Sequence, residues 1–324
     1  MSKFIIAIDL GGTSAKMGVL NDNAEIIDRW SVETDISQEG TLIVPNIIQS
    51  IQGFLNRENI SIDDIKGIGL GTPGTINHEE GTVVSAYNLN WRTVQHVRDQ
   101  FQEAFPVPFF MDNDANVAAL GEQWQGAGEQ ADNVVMVTLG TGVGGGVVID
   151  GQLVHGINQA AGEIGHMTIE FHDPIDCTCG KKGCLETVAS ATGAVNLATK
   201  HINDFGGQSE LKSMVERGDE VSAYSIFQKA EEDQDEYALY IVDLYVDYLG
   251  RAFSHIANTL NPANIIIGGG VSGSGEFLRS RVEKYFKEYS FSQIRETSKV
   301  VIAKLGNDAG MFGAAQIVNN GLNK

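Results

Sequence analysis

The chain has 324 residues, 42% hydrophobic and 20% charged. That usage excludes a disordered or collagen-like chain, and at roughly 150 residues per domain it predicts about two domains. Its 22 basic and 42 acidic residues leave a net charge of −20 with histidines neutral, which argues against nucleic acid or an anionic membrane surface as a partner.

The opening segment, Phe4 to Asp9, is apolar and isoleucine-rich, and it runs through Leu10-Gly11-Gly12-Thr13 into Lys16-Met17-Gly18-Val19-Leu20. This predicts strand, glycine turn, strand. A Walker-type loop would need Gly-Lys-Ser/Thr and a following helix, whereas Asn21-Asp22-Asn23 breaks the chain too soon. The spacing predicts a helix over 44–56 and a buried strand over 65–71 ending in Thr72-Pro73-Gly74. A second helix over 94–104 and the short strand 109–111 follow. Asp112-Asn113-Asp114-Ala115-Asn116 then caps a helix to about Gln125, with Asn113 or Asp114 at its start. From Val134 to Ile149 the opening pattern returns: apolar strand, Gly140-Thr141-Gly142 turn, apolar strand. Residues 187–262 are mainly helical in pattern. The run Glu231 to Glu236 reads as a solvated acidic surface. Asn264 to Ile267 is a buried strand entering Gly268-Gly269-Gly270, and 300–303 is another before a terminal helix. No apolar run approaches the roughly 20 residues of a membrane span, and the first apolar stretch is too short for a signal-peptide core. The expectation is a cytoplasmic protein.

Glycine is the abnormal count: 38 residues, about 12% against an average near 7%, clustered at strand ends. Alone, the turn Gly11-Gly12-Thr13 is a plain hairpin. Two such turns can grip phosphates with backbone N–H groups and hydroxyls, as amide nests do. Gly268-Gly269-Gly270 would let an adenine ring lie close to the backbone, and Asp9 and Lys16 suit a phosphate and its Mg²⁺. The three cysteines, Cys177, Cys179 and Cys184, fall in one eight-residue window. They offer three soft ligands to a tetrahedral zinc ion, for which His166 is the nearest histidine apart from His172. With four protein ligands such an ion is structural. Asp114, in the first turn of its helix, is the candidate general base, because the helix dipole keeps a carboxylate there ionised. Glu163 and Glu186, flanking the cysteine segment, could receive vicinal sugar hydroxyls.

Six motifs in order now carry a resemblance: Asp9-Leu10-Gly11-Gly12-Thr13 with Lys16, Asn113-Asp114-Ala115-Asn116, Leu139-Gly140-Thr141-Gly142, Ala161-Gly162-Glu163-Ile164-Gly165-His166, Cys177-Thr178-Cys179-Gly180 with Gly183-Cys184-Leu185-Glu186, and Gly268-Gly269-Gly270. Over nearly its whole length the chain resembles the ROK family (repressors, open reading frames, kinases), and within it the ATP-dependent glucokinases. The resemblance implies an α/β protein of the actin/hexokinase (ribonuclease H-like) fold with two domains around a cleft, at 1–118 and 119–310. A terminal helix, 311–324, would pack back on the first. It implies ATP phosphates on the two hairpins and a sugar held by Gly74, Asn88, Asn113, Asp114, Glu163, His166 and Glu186. It also implies zinc on His166, Cys177, Cys179 and Cys184, and a homodimer. Asp114 would deprotonate the sugar 6-hydroxyl for attack on the γ-phosphate, with Mg²⁺ offsetting charge. Kinases of the same family for fructose, mannose or N-acetylmannosamine are the alternative. A sugar-sensing repressor would need a helix-turn-helix ahead of the first strand, which begins at Phe4, and a non-catalytic binder would be expected to lose Asp114 or the phosphate turns.

Overall fold

The computed structural model describes residues 3–323; Met1, Ser2 and Lys324, at the ends of the expected ranges 1–118 and 311–324, lie outside the described residues. In chain order the elements are β1 (Phe4–Leu10), β2 (Ser14–Asn21), β3 (Ile26–Glu33), α1 (Ile43–Glu58), β4 (Ile65–Thr72), β5 (Thr75–Asn77), β6 (Thr82–Val84), α2 (Val97–Ala104), β7 (Phe109–Asn113) and α3 (Asp114–Gln125). There follow β8 (Val134–Leu139), β9 (Val143–Ile149), β10 (Gln152–Leu153), α4 (Glu186–Ala189), α5 (Ala191–Lys200), α6 (Glu210–Arg217), α7 (Ala223–Glu231), α8 (Glu236–Leu260), β11 (Asn264–Gly268), α9 (Gly275–Tyr289), α10 (Ser292–Thr297), β12 (Lys299–Ile302) and α11 (Ala309–Leu322). Among the described residues no helix is long and apolar enough to cross a membrane.

Two five-stranded sheets share one topology, β3-β2-β1-β4-β7 and β10-β9-β8-β11-β12. In the first, β1 and β2 are antiparallel with Asp9 opposite Lys16, while β1, β4 and β7 run parallel. Period-two alternation sorts β1 between two cores. Ile6, Ile8 and Leu10 pack with α1 and α2 residues such as Ile47, Ile51, Phe54, Val97 and Phe101. Ile5 and Ala7 pack on the opposite face with Met311, Ala314, Ala315 and Val318 of α11. That second face is set by β4, whose glycines at 67, 69 and 71 alternate with Ile68 and Leu70. A Cβ on Gly69 would lie 1.8 Å from the Ala314 carbonyl oxygen, so α11 rests directly on the strand backbone. One residue earlier Gly313 lets α11 meet α3, where a Cβ would fall 1.6 Å from the Val117 carbonyl oxygen. In the second sheet β8, β11 and β12 run parallel. Helix α8 anchors that half through buried tyrosines, with Tyr245 Oη donating to the Ala189 carbonyl at 2.9 Å and Tyr237 Oη to that of Ala198 at 2.5 Å.

The chain divides into two compact units, Met1–Gln130 with Val148–Ala161 and Asn307–Lys324, and Ala131–Val147 with Gly162–Gly306. The first break follows α3 rather than residue 118, which lies inside that helix and whose neighbours Val117, Ala119 and Leu120 are buried. Three further differences have local causes. Strand β3 is not legible in the pattern because it is an edge strand with mostly exposed side chains. The second helix begins at Val97 rather than Val94, because Gln95 bridges to Val83 in extended conformation. In the acidic run Asp235 is a helix cap, its carboxylate accepting from the Tyr237 and Ala238 N–H groups at 3.0 and 2.9 Å.

Candidate active site

The expected site residues fall into one group in each unit. In the first unit the β1–β2 turn is closed by the Gly11 N–H donating to the Ser14 carbonyl at 3.0 Å. Thr34 pins it from outside, with its hydroxyl on the Gly11 carbonyl at 2.7 Å and its N–H on that of Thr13 at 3.0 Å. The Gly11 amide is therefore spent within the turn, and Gly12 and exposed Thr13 form its tip. Gly12 abuts Asn88, whose carbonyl oxygen would be 3.2 Å from a Cβ there. Lys16 faces Asp9 across the pair, and Gly310 at the start of α11 leaves room for the Asp9 carboxylate.

Strand β7 ends at Asn113, which caps α3 by accepting from the Ala115 N–H at 2.9 Å and whose Nδ2 donates to the Gly74 carbonyl at 3.5 Å. Gly74 holds φ +105°, a region open to glycine. Asp114 follows as the first helical residue; its carboxylate is solvent-accessible yet surrounded closely enough that dehydration raises its pKa, against the opposing hydrogen bond from Ala115 N–H. Burial also raises Asp9, with Lys16 pulling it down and Asp114 pushing it up. Asp9 thus senses the Asp114 carboxylate, and a cation beside Asp9 would favour its ionised form.

In the second unit the Gly140-Thr141-Gly142 turn repeats the first, its Gly140 N–H donating to the Gly142 carbonyl at 3.0 Å. Glu186, first in α4, accepts from the Val143 N–H at 3.1 Å, and a Cβ on Gly142 would sit 2.1 Å from the same carboxylate oxygen. His166 turns one ring nitrogen to each neighbour: Nδ1 lies 3.7 Å from Cys177 Sγ, and Nε2 lies 4.0 Å from a Glu163 carboxylate oxygen. Cys179 and Cys184 sulfurs are 3.7 Å apart, and the four donors of His166 and the cysteines lie within 4.8 Å of one another. Tetrahedral zinc with bonds of about 2.3 Å to sulfur separates two thiolates by about 3.8 Å, so the donor set fits such an ion. Burial, with two thiols alongside, pushes the Cys184 thiol up to about 12, a cost that a bound divalent cation reverses. His172 takes no part; its N–H binds Glu170. At the end of β11, Gly269 takes φ +79° where a Cβ would meet the Leu139 backbone at 2.6 Å, while Gly270 is open. Close packing on β8 thus accounts for Gly269, and Gly270 is the open face of the run.

Sequence reasoning passed over Asp112, whose Oδ1 accepts from the Asn113 N–H at 2.8 Å and from Asn116 Nδ2 at 2.9 Å. The signal was present, an acid ending an apolar strand immediately before the capped turn.

Paired sheets of one strand order, each with a Gly/Thr turn, and a carboxylate opening the helix after β7 define a protein of the actin/hexokinase class. The chain belongs to the ROK family, whose sequence profile matches residues 5–320. It is 41% identical over 98% of its length to a glucokinase of Halalkalibacterium halodurans, covering 95% of that protein. It is 31% identical over 97% of its length to a xylose repressor of Caldicellulosiruptor bescii, covering 77% of that protein. Among solved structures it matches a ROK family glucokinase of Streptomyces griseus in complex with glucose and AMPPNP, with TM-score 0.73, 29% identity, and coverage of 98% of this chain and 99% of the other.

Proposed function

We propose that this protein is an ATP-dependent hexose kinase that phosphorylates glucose at the 6-hydroxyl, giving glucose 6-phosphate and ADP. The observation that carries the reading is Asp114: a carboxylate of raised pKa, at the start of a helix capped by Asn113 and within electrostatic reach of Asp9. The match to relatives named as glucokinases supports the choice of sugar. Asp114 accepts the 6-hydroxyl proton, and its raised basicity suits that task at neutral pH. Gly74, Asn88, Asn113, Glu163, His166 and Glu186 bind the sugar. The turn residues Gly12, Thr13, Thr141 and Gly142 bind phosphate oxygens, Lys16 adds a cation, and Gly268 to Gly270 admit the adenine. Asp9 would hold Mg²⁺, directly or through water, and the ion would supply charge neutralisation at the phosphates. His166, Cys177, Cys179 and Cys184 would hold a structural Zn²⁺ that fixes the ring of His166 toward the sugar while Glu163 stands at its other nitrogen.

A coupled ADP-release assay with MgATP and glucose, mannose, fructose, N-acetylglucosamine and N-acetylmannosamine tests the reading through kcat/KM. Highest kcat/KM with glucose is the expected result. Preference for another sugar keeps the base and moves the error to the residues about Asn88, Glu163 and Glu186. Absence of turnover with all five sugars, in protein that binds glucose, replaces catalysis with sensing.

A further inference from the structure

Outside the groups above, three donors from distant parts of the sequence converge in the first unit. Asp112 ends β7 nearly, His78 lies in the turn after β5, and His155 follows β10. Asp112 is 3% exposed, and its Oδ1 is occupied by Asn113 and Asn116. Its Oδ2 faces both imidazoles, 2.5 Å from His155 Nε2 and 3.7 Å from His78 Nε2. The two rings meet edge to face with centroids 4.6 Å apart, and all three donor atoms fall within 4.8 Å of one another.

We propose that His78, Asp112 and His155 form a divalent-metal site separate from the cysteine knuckle, taking an imidazole-preferring transition ion such as Zn²⁺. Two imidazoles and one carboxylate are the donors that such ions select, whereas Mg²⁺ and Ca²⁺ favour oxygen alone. Metal bonds of about 2.0–2.1 Å at tetrahedral angles place nitrogen and oxygen donors about 3.3 Å apart. The two observed separations bracket that spacing, so small rotations of the rings admit the ion. The hydrogen bonds to Oδ1 hold the carboxylate in orientation, as supporting groups do around metal ligands. Three protein ligands leave a coordination position open, and all three residues line a cavity of about 660 Å³ that also meets Arg98, Gln102 and Asn320. Water or a small anion would complete the shell from there.

The test uses the full-length protein, stripped with chelator and reloaded with Co²⁺ alone, followed by metal counting and absorption spectroscopy. Cobalt at the knuckle carries intense thiolate charge transfer, and cobalt on two histidines and a carboxylate carries only weak d–d bands. The expected result is two equivalents per chain, one with thiolate charge transfer and a second without it, the second displaced by excess Zn²⁺ and lost in the His78→Asn/His155→Asn variant. The proposal is overturned if all bound cobalt shows thiolate charge transfer, or if the second equivalent survives the substitutions; the triad is then only hydrogen-bonded. Should the double variant fail to fold, His155→Gln reads the same loss, and the wild-type spectrum decides without any variant.

Discussion

Replacing Asp114 by asparagine removes the proton acceptor and little else. The cap of α3 belongs to Asn113, whose side chain accepts the Ala115 N–H at 2.9 Å, and an asparagine amide oxygen can replace the Asp114 oxygen on the same N–H. The helix should therefore form as before. A positioned acid or base contributes about 10²–10⁴ in rate, which at about 1.36 kcal/mol per decade is about 2.7–5.4 kcal/mol of barrier. Turnover should fall by that factor with glucose affinity held within a few-fold. The pH dependence fixes the sign independently. Burial raises the Asp114 pKa above its ordinary 3.8, so the base is lost to protonation at a higher pH than a free carboxylate, and kcat climbs with pH through that raised value. Stability moves the other way: the folded state holds the proton more tightly than the unfolded chain, so this group's contribution declines as pH rises from 3.8 through the folded value. Asp114→Asn abolishes both trends and should melt no lower than wild type at neutral pH. Steady-state ADP release, glucose titration by calorimetry and thermal melts from pH 4 to 8 measure all three quantities. Turnover within tenfold of wild type, or a loss of glucose binding that parallels the loss of kcat, would refute the assignment of Asp114 as the base.

Other expectations follow from single contacts. Cys179→Ser removes one of four clustered donors and should lower the melting temperature and raise the apparent glucose KM more than it lowers kcat; unchanged melting and KM in metal-counted protein would remove zinc from the proposed mechanism. Gly69→Ala drives a methyl into the Ala314 carbonyl, and because backbone cannot swing aside, the cost should reach at least the upper end of the usual overpacking range of about 1–3 kcal/mol, read by urea unfolding. Asp235→Ala uncaps α8 and should cost about 1–2 kcal/mol. Burial pushes the Asp235 carboxyl up, but the N–H groups of Ala238 and Leu211 outweigh it and hold its pKa below 3.8. Its contribution is accordingly present above pH 3.8 and lost as pH falls through the folded value, and a variant whose deficit did not shrink in acid would contradict this.

Much of the candidate site was legible because its signals are local. A Gly/Thr turn between apolar runs, an asparagine before a helix, and three cysteines in eight residues each announce their geometry within a few bonds. Hence the positions of the two hairpins, the Asn113 cap and the cysteine cluster could be read without coordinates. Even there the structure refined the reading: the first glycine amide of each hairpin closes its own turn, and Gly269 serves packing against Leu139. His166 and His172 were not separable by spacing alone, since both lie near the cysteines; which ring meets Cys177 depends on how the chain folds between them.

By itself the sequence determined the α/β class, the order of the main strands and helices, and the residue types that chemistry requires at each turn. Those follow from hydrophobic period, capping and backbone sterics, all short-range. Only the tertiary structure decided that the glycine row of β4 is a seat for α11, a helix more than 230 residues later that reaches it without intervening side chains. It likewise brought His78 and His155 to Asp112. Neither juxtaposition leaves a mark on local pattern, because a glycine every second residue or a lone histidine in a turn has many meanings until the surface packed against it is known.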